Sequence, residues 1–271
     1  PAMSELSDKH QHLQELLHTL APLAVAFSGG VDSSLLLKVA HDTLDEQCIA
    51  VTIDAPYLFR QEITDARRFS EQLGVQHLII PFDTTTLPSS TPLWASLLNN
   101  PPDRCYLCKK AMLNLCKTIL ATDTLPLIDG STRDDQQVHR PGRQALQEQG
   151  IRSPLAEAGF SKQDVRSLSR ELGLKTWDKP AQSCLLTRFP HNQRITPEAL
   201  QQVEVSEQAL RGLGLQVVRV RSLGDTARIE VEDREQAYAM FPEIEEICRQ
   251  AGFTQVTVDP AGYRCGSMDQ N

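Results

Sequence analysis

Leu13, Leu16, Leu17 and Leu20 recur at helical spacing and predict an amphipathic N-terminal helix ending at Pro22. Four short apolar runs follow, at residues 24–27, 48–53, 77–82 and 125–128, each reading as a buried strand. Helical patterns at 34–40, 61–73 and 108–121 separate them. Strands alternating with helices predict an α/β fold, a Rossmann-like parallel sheet covered on both faces. Ligands of such sheets sit beyond the C-terminal ends of the strands. Residues 28–33, 54–57 and 129–131 all fall there. Beyond Pro190 the pattern changes. Thr196 and Pro197 open a helix as N-cap and first helical residue, with Leu200, Val203, Leu210 and Leu213 on one face. Strands at 217–220 and 228–231, a helix at 234–250 and a strand at 253–258 complete an αββαβ order. The expected organisation is an N-terminal helix at 1–20, a larger α/β domain at 21–186 and a smaller C-terminal α+β domain at 187–271. Residues 266–271 are expected to fray.

The first strand runs into Phe27-Ser28-Gly29-Gly30-Val31-Asp32-Ser33-Ser34. A strand feeding a glycine loop into a helix presents backbone N–H groups at a helix N-terminus, a site for phosphate. The two glycines allow close approach, and Ser28, Ser33 and Ser34 add hydroxyls. Asp32 beside an anion makes sense if Mg2+ bridges it to phosphate. The loop lacks the Gly-Lys-Ser/Thr ending of a Walker A loop, and its plain alternative is an ordinary strand-to-helix turn.

Composition narrows the class. The chain has 271 residues, 40% of them hydrophobic, and a net charge of −8. From His191 onward 8 arginines face 13 acids, leaving −5 on that segment. Nucleic-acid binding draws on a basic surface, so the balance favours a small-molecule substrate. No run approaches the ~18–20 apolar residues of a membrane span. Seven cysteines without a signal sequence are expected to be reduced thiols in the cytoplasm.

Asp129-Gly130-Ser131-Thr132-Arg133-Asp134-Asp135 follows the fourth strand, where paired aspartates could meet Mg2+ or a ribose hydroxyl, or simply form a solvated turn. Cys105-Tyr106-Leu107-Cys108 is expected to precede a helix after the Pro101-Pro102 break. Such a pair reads as a redox couple, half a zinc site, part of an iron–sulfur site or nothing. Cys184 offers a third thiol, and three thiolates can hold a [4Fe–4S] cluster with one iron open. Cys48, Cys116, Cys248 and Cys265 read as core or incidental. Arg219 and Arg221 alternate along a strand and share a face, which for charged residues usually means solvent. Lys109 and Arg60 are positioned to neutralise pyrophosphate, or are ordinary surface charge.

The Ser-Gly-Gly-Val-Asp-Ser loop resembles the signature of the PP-loop ATP pyrophosphatases, which split ATP to AMP and pyrophosphate. Together with Ile151-Arg152-Ser153-Pro154-Leu155, Val165-Arg166, Glu171-Leu172-Gly173, Lys179-Pro180-Ala181, Cys184, Arg188, residues 218–221 and residues 227–230, it resembles the ATP-dependent sacrificial sulfur transferases, the LarE family, over nearly the full chain. The resemblance implies ATP and Mg2+ as cofactors. ATP would meet Ser28, Gly29, Gly30, Asp32, Ser33, Arg60, Lys109, Asp129 and Gly130, with Asp32 and Cys184 catalytic. It implies a pyridinium carboxylate mononucleotide substrate, whose phosphate would meet Arg219, Arg221 and Arg188 and whose carboxylates become thiocarboxylates for a nickel-pincer nucleotide. It also implies metal or substrate contacts at Glu207 and Glu230, a PP-loop ATP pyrophosphatase domain at 21–186, a substrate-binding and oligomerisation domain at 187–271, and assembly into hexamers. In the family's sacrificial version Cys184 gives up its own sulfur. Cys105 and Cys108 depart from that version and resemble a subgroup in which three cysteines hold a [4Fe–4S] cluster carrying a transferable sulfide. The competing readings are a tRNA thiolase of the PP-loop class, a non-catalytic nucleotide sensor and an amidotransferase synthetase. The acidic second domain and the absence of a glutaminase half weigh against the first and last.

Overall fold

A computed structural model of the chain describes residues 3–82, 93–120, 125–137, 141–264 and 266–268. In chain order the elements are α1 (Met3–Leu20), β1 (Leu23–Ala26), α2 (Val31–Leu44), β2 (Cys48–Asp54), α3 (Arg60–Leu73), β3 (Gln76–Pro81), α4 (Leu93–Leu98), α5 (Arg104–Leu120), β4 (Leu127–Ile128), α6 (Arg133–Gln137), α7 (Pro141–Glu148), α8 (Pro154–Glu157), α9 (Lys162–Glu171), α10 (Pro197–Gly212), β5 (Val218–Leu223), β6 (Thr226–Val231), α11 (Arg234–Ala239), α12 (Phe241–Gln250) and β7 (Gln255–Val258). The chain forms two compact units, the first of residues 1–55, 60–91 and 105–182, the second of 56–59, 92–104 and 183–271. No described helix is long and apolar enough to cross a membrane.

The first unit is a mixed α/β layer built on a parallel sheet of order β3-β2-β1-β4. Leu23, Val25 and Phe27 point into a core shared with Leu13 and Leu17 of α1, Leu35, Leu36 and Val39 of α2, and Val165 and Leu168 of α9. Ala24 faces the opposite core, with Leu113 and Cys116 of α5 and Ala145 and Leu146 of α7. Alternating side chains are therefore buried on both faces, as a parallel sheet requires. The chain moves outward from β1 to β2 to β3 and then returns to the far side of β1 for β4. The strand order reverses between β1 and β4, and that crevice is where such folds bind ligands.

Two sequence expectations shift here. The fourth strand is only Leu127–Ile128, although Ile128 also bridges Arg152 in parallel. The helix expected at 108–121 starts at Arg104, whose N–H is donated to the Pro101 carbonyl at 3.0 Å. Pro101 and Pro102 end the preceding segment, but Arg104 carries an ordinary N–H and can open the helix. Residue 121 lies outside the described residues.

The second unit carries the sheet β5-β6-β7, with β5 and β6 antiparallel and β6 and β7 parallel. Thr196 caps α10 by accepting the Ala199 N–H at 3.2 Å. The helix expected at 234–250 is two helices meeting at Met240, with Pro242 in the first turn of α12. Proline has no N–H to continue α11 but suits the opening of a new helix. The tail does not fray at once: Met268 is buried, and the Ser267 hydroxyl is donated to Glu230 at 2.9 Å. Residues 265 and 269–271 lie outside the described residues, so the expectation for Cys265 meets no structure.

A buried ion pair anchors this unit. Arg188 and Glu207 are both fully inaccessible, with Nε to Oε1 at 2.7 Å and Nη2 to Oε2 at 3.0 Å. Glu207 also accepts from Arg211 Nη2 at 2.6 Å and the Val220 N–H at 3.0 Å. Removing one partner leaves an uncompensated buried charge, so Glu207→Ala is expected to destabilise this unit by about 3–5 kcal/mol. Urea unfolding checks it, and an unchanged midpoint would mean the pair contributes nothing.

Candidate functional site

The loop after β1 is built for an anion. Gly29 sits at φ 72°, and a Cβ there would lie 3.3 Å from Ala66 Cβ, so the turn needs glycine on both counts. Ser33 Oγ lies 3.1 Å from Ser28 Oγ, accepts the Ser28 N–H at 3.3 Å and is placed to donate to the Gly30 carbonyl at 3.3 Å, which closes the loop on itself. Gly30 is the N-cap of α2 and offers no side-chain cap; the Ser34 N–H makes the first bond back, to the Gly30 carbonyl at 2.9 Å. The N–H groups of the first turn are thus left for a ligand, with the helix dipole behind them.

The turn after β4 closes the other side of the crevice. A Cβ on Gly130 would lie 3.1 Å from the Ser33 nitrogen, so glycine allows the two loops to touch. Asp129 is buried; its Oδ1 accepts the Ser153 hydroxyl at 2.5 Å and its Oδ2 accepts the Ser131 hydroxyl at 2.7 Å. Lys109 Nζ reaches 4.0 Å from Asp129 Oδ2, on the same rim. Arg60 opens α3 and pairs with Asp54 at the end of β2.

Three basic residues at this rim were given no role from the sequence, although Arg166 and Lys179 lie in motifs that carry the resemblance. Lys162 Nζ lies 2.5 Å from Asp32 Oδ2 and 2.7 Å from Asp135 Oδ2. Burial would lower the Lys162 pKa, but the two carboxylates outweigh it and hold the ammonium above the ordinary lysine value. Burial works against ionisation of Asp135 too, yet Lys162 and Thr132 keep its carboxyl below the usual range. Lys179 Nζ donates to the Gly29 carbonyl at 3.1 Å, and Arg166 holds the Lys179 carbonyl at 3.1 Å. The available signal was Ser161-Lys162-Gln163-Asp164, a capping box marking a helix start beside the site.

Among the described residues no three His, Cys, Asp or Glu side chains form a group able to hold a metal ion. Asp32 and Asp135, two hard oxygen donors meeting on one cation, fit a Mg2+ that completes its shell with phosphate and water.

Cys105 and Cys108 lie within the first turns of α5, not ahead of a helix as expected. At i and i+3 they share a helical face, Cys105 exposed and Cys108 half-buried. Cys184, half-buried, caps a short 3₁₀ turn at Leu185–Arg188; its carbonyl accepts from the Thr187 hydroxyl at 2.8 Å and Arg188 Nη1 at 3.2 Å. Cys48, Cys116 and Cys248 are core residues, and burial pushes their thiols up to about 12, about 11 and about 12.

In the second unit Arg219 and Arg221 share a face of β5, but that face is covered: they are only 3% and 4% exposed. The solvent-facing alternative does not hold: the Tyr263 ring lies against Arg219, and Arg221 Nη2 donates to the Ser267 hydroxyl at 2.9 Å. Arg219 stacks on the Tyr263 ring at 5.1 Å, and burial, with Arg188 nearby, holds its pKa below the ordinary arginine value. Arg221 Nη2 pairs with Glu230 Oε2 at 2.6 Å and Nη1 donates to the Thr187 carbonyl at 2.8 Å. Glu207 and Glu230 are thus salt-bridged to arginines, and a metal at either would have to displace a guanidinium.

Burial divides the thiols into two sets. In protein free of any bound metal, iodoacetamide at pH 8 is expected to label Cys105 first, then Cys108 and Cys184, while Cys48, Cys116 and Cys248 stay unmodified in the native fold. Peptide-resolved mass spectrometry reads this directly. Labelling of Cys48 or Cys248 as fast as Cys105 would contradict the buried assignment.

Residues 11–102 match the family model described as asparagine synthase. The chain is 38% identical to an uncharacterized protein of Synechocystis over 98% of both chains. It is 36% identical to the pyridinium-3,5-bisthiocarboxylic acid mononucleotide synthase of Lactiplantibacillus plantarum, over 98% of this chain and 96% of that one. An uncharacterized protein of Methanocaldococcus jannaschii is 31% identical over 89% of this chain and 90% of its own. An uncapped helix N-terminus at the switch point, joined to this end-to-end similarity, makes the chain an ATP-utilising sulfur transferase that belongs to the LarE family of PP-loop ATP pyrophosphatases.

Proposed function

We propose that this chain adenylates a carboxylate of a pyridinium carboxylate mononucleotide and converts it to a thiocarboxylate, as part of nickel-pincer nucleotide cofactor synthesis. One observation carries the reading: α2, 14 residues long, opens without a side-chain cap onto Gly29 and Gly30, in a chain similar along its length to a synthase of that product class.

The chemistry follows from the groups at hand. A carboxylate is a poor electrophile because its charge is delocalised. Attack of its oxygen on the α-phosphorus of ATP makes an acyl adenylate and expels pyrophosphate. The first-turn N–H groups of α2, with Ser28, Gly29, Gly30 and Ser33, hold the phosphates. Asp32 and Asp135 would hold Mg2+, which neutralises phosphate charge when bound. Lys109, Arg60, Asp129 and Gly130 complete the ATP site, the two cations balancing the departing pyrophosphate. Arg219, Arg221 and Arg188 are the candidates for the substrate phosphate, three guanidiniums brought together in the second unit, with Arg221 and Arg188 oriented by Glu230 and Glu207.

A sulfur nucleophile then attacks the acyl carbon and AMP leaves. We assign the sulfur chemistry to Cys105, Cys108 and Cys184 as ligands of a [4Fe–4S] cluster. The exposed and half-buried thiols on one face of α5 supply two of the three thiolates such a cluster needs. When bound, it supplies an open iron site for a transferable sulfide, which permits repeated turnover. The protein is proposed to work in the cytoplasm, where its thiols stay reduced, as a homo-oligomer.

Asp32→Ala is expected to lower substrate-dependent release of AMP and pyrophosphate by about 10²-fold or more while circular dichroism and melting stay as in wild type. Unchanged turnover would remove Asp32 from the mechanism. Anaerobic purification is expected to yield about four irons and matching acid-labile sulfide per chain, lost in Cys184→Ser. No iron, with loss of one hydrogen sulfide in mass at Cys184 after reaction, would instead establish Cys184 as a single-use donor.

A further inference from the structure

Lys162 is placed where helix stability alone would not put it. It is the first residue of α9, and a cation at a helix N-terminus opposes the dipole. Its place is explained by the two carboxylates it joins, Asp32 of the phosphate-loop helix at 2.5 Å and Asp135 of α6 at 2.7 Å. Lys162 and Asp135 are anchored independently of any nucleotide. The Lys162 N–H is donated to Asp134 Oδ2 at 2.7 Å. Ser161 and Asp164 close a capping box around the start of α9, and Lys9 holds Asp164 at 3.0 Å. The Thr132 N–H and hydroxyl both reach Asp135 Oδ2 at 2.9 Å.

Because one ammonium touches both oxygens, the carboxylates lie no farther apart than about 5 Å. That is ground a single hexacoordinate cation could share after small side-chain adjustment. Magnesium sheds water reluctantly and is usually held by one or two carboxylates plus substrate phosphates. With the ammonium in place the pair carries one net negative charge instead of two, and a free dication must displace Lys162 to enter. A triphosphate changes the balance, since its own charge lets a dication and an ammonium occupy the site together. The Lys162 side chain is 41% exposed and has room to move aside.

We propose that Lys162 is a positioning residue that keeps free divalent cations off the Asp32–Asp135 pair and makes metal binding conditional on nucleotide. This rests on the reading of the loop as an ATP site. The result is positive coupling between ATP and metal, equal in both directions. It protects the site from holding a bare metal ion and orders the assembly of the reactive complex.

The test is Mn2+ binding to the full-length protein, followed by electron paramagnetic resonance of the free ion, with and without ATP and without the carboxylate substrate. Wild type is expected to bind Mn2+ weakly alone and more tightly with ATP. Without nucleotide, Lys162→Met should bind Mn2+ about tenfold more tightly, about 1.4 kcal/mol, and lose the same factor of ATP coupling. Lys162→Arg should keep the wild-type pattern, and Asp135→Asn added to Lys162→Met should abolish the gain. Nucleotide-free Mn2+ affinity within about twofold of wild type, in Lys162→Met or Lys162→Gln with wild-type melting, overturns the proposal. So does a gain that survives Asp135→Asn, because it would then arise elsewhere. If wild type fails to bind ATP at all, the ATP-site reading falls, while the nucleotide-free comparison still decides the lysine.

Discussion

The position of β1 between β2 and β4 is the constraint on which the candidate site depends. This four-residue strand is hydrogen-bonded to a neighbour on each side and buried on both faces, so its C-terminal end has little freedom. The Phe27 N–H continues the ladder to the Val51 carbonyl at 2.8 Å, and the loop begins at the next residue. A phosphate loop binds by several N–H groups at once, and small displacements degrade all of them together. A rigid central strand removes that degree of freedom before any ligand arrives. The reversal of strand order beside β1 then leaves an open crevice where the loop emerges.

Charge is used differently in the two units. In the first, the cations at the rim stay partly exposed and contact carboxylates or carbonyls around the loop after β1. Side-chain exposure is 38% for Lys109, 41% for Lys162 and 23% for Lys179, so each can exchange partners at modest cost. In the second, Arg188, Glu207, Arg221 and Glu230 are essentially dry. Their pairing specifies how β5, α10 and the 3₁₀ turn after Cys184 pack, because each charge left alone there would be strongly unfavourable. Arg219 is buried beside them, its guanidinium against the Tyr263 ring and donating to the Val218 carbonyl at 2.8 Å. The net charge of −8 conceals both arrangements.

Cysteine usage follows the same division. Cys48, Cys116 and Cys248 fill core positions, and burial holds their protons firmly. Cys105 and Cys108 lie on the surface face of α5, and Cys184 ends an irregular segment that the Arg188 guanidinium braces through the Ser183 and Cys184 carbonyls. Thiols that bind a metal or act as nucleophiles need access and deprotonation, and the core positions deny both.

Local chemistry was legible in the chain itself. The apolar runs located the strands to within a few residues, and helical spacing located the longer helices, though not α4 or α6–α9, and it merged α11 with α12. Glycines 29 and 30 marked the tight loop, and Thr196-Pro197 marked a helix start, because each effect acts within a turn or two. The sequence by itself determined the fold class, the phosphate loop and the family. Only the tertiary structure decided which charges are buried and which meet. Alternation along β5 says that Arg219 and Arg221 share a face, but what covers that face comes from residues about 45 positions away. Lys162 and Asp32 are 130 residues apart, and no periodicity joins them. Pairing across that separation is set by how strands and helices stack, and the contact is therefore a property of the packed chain.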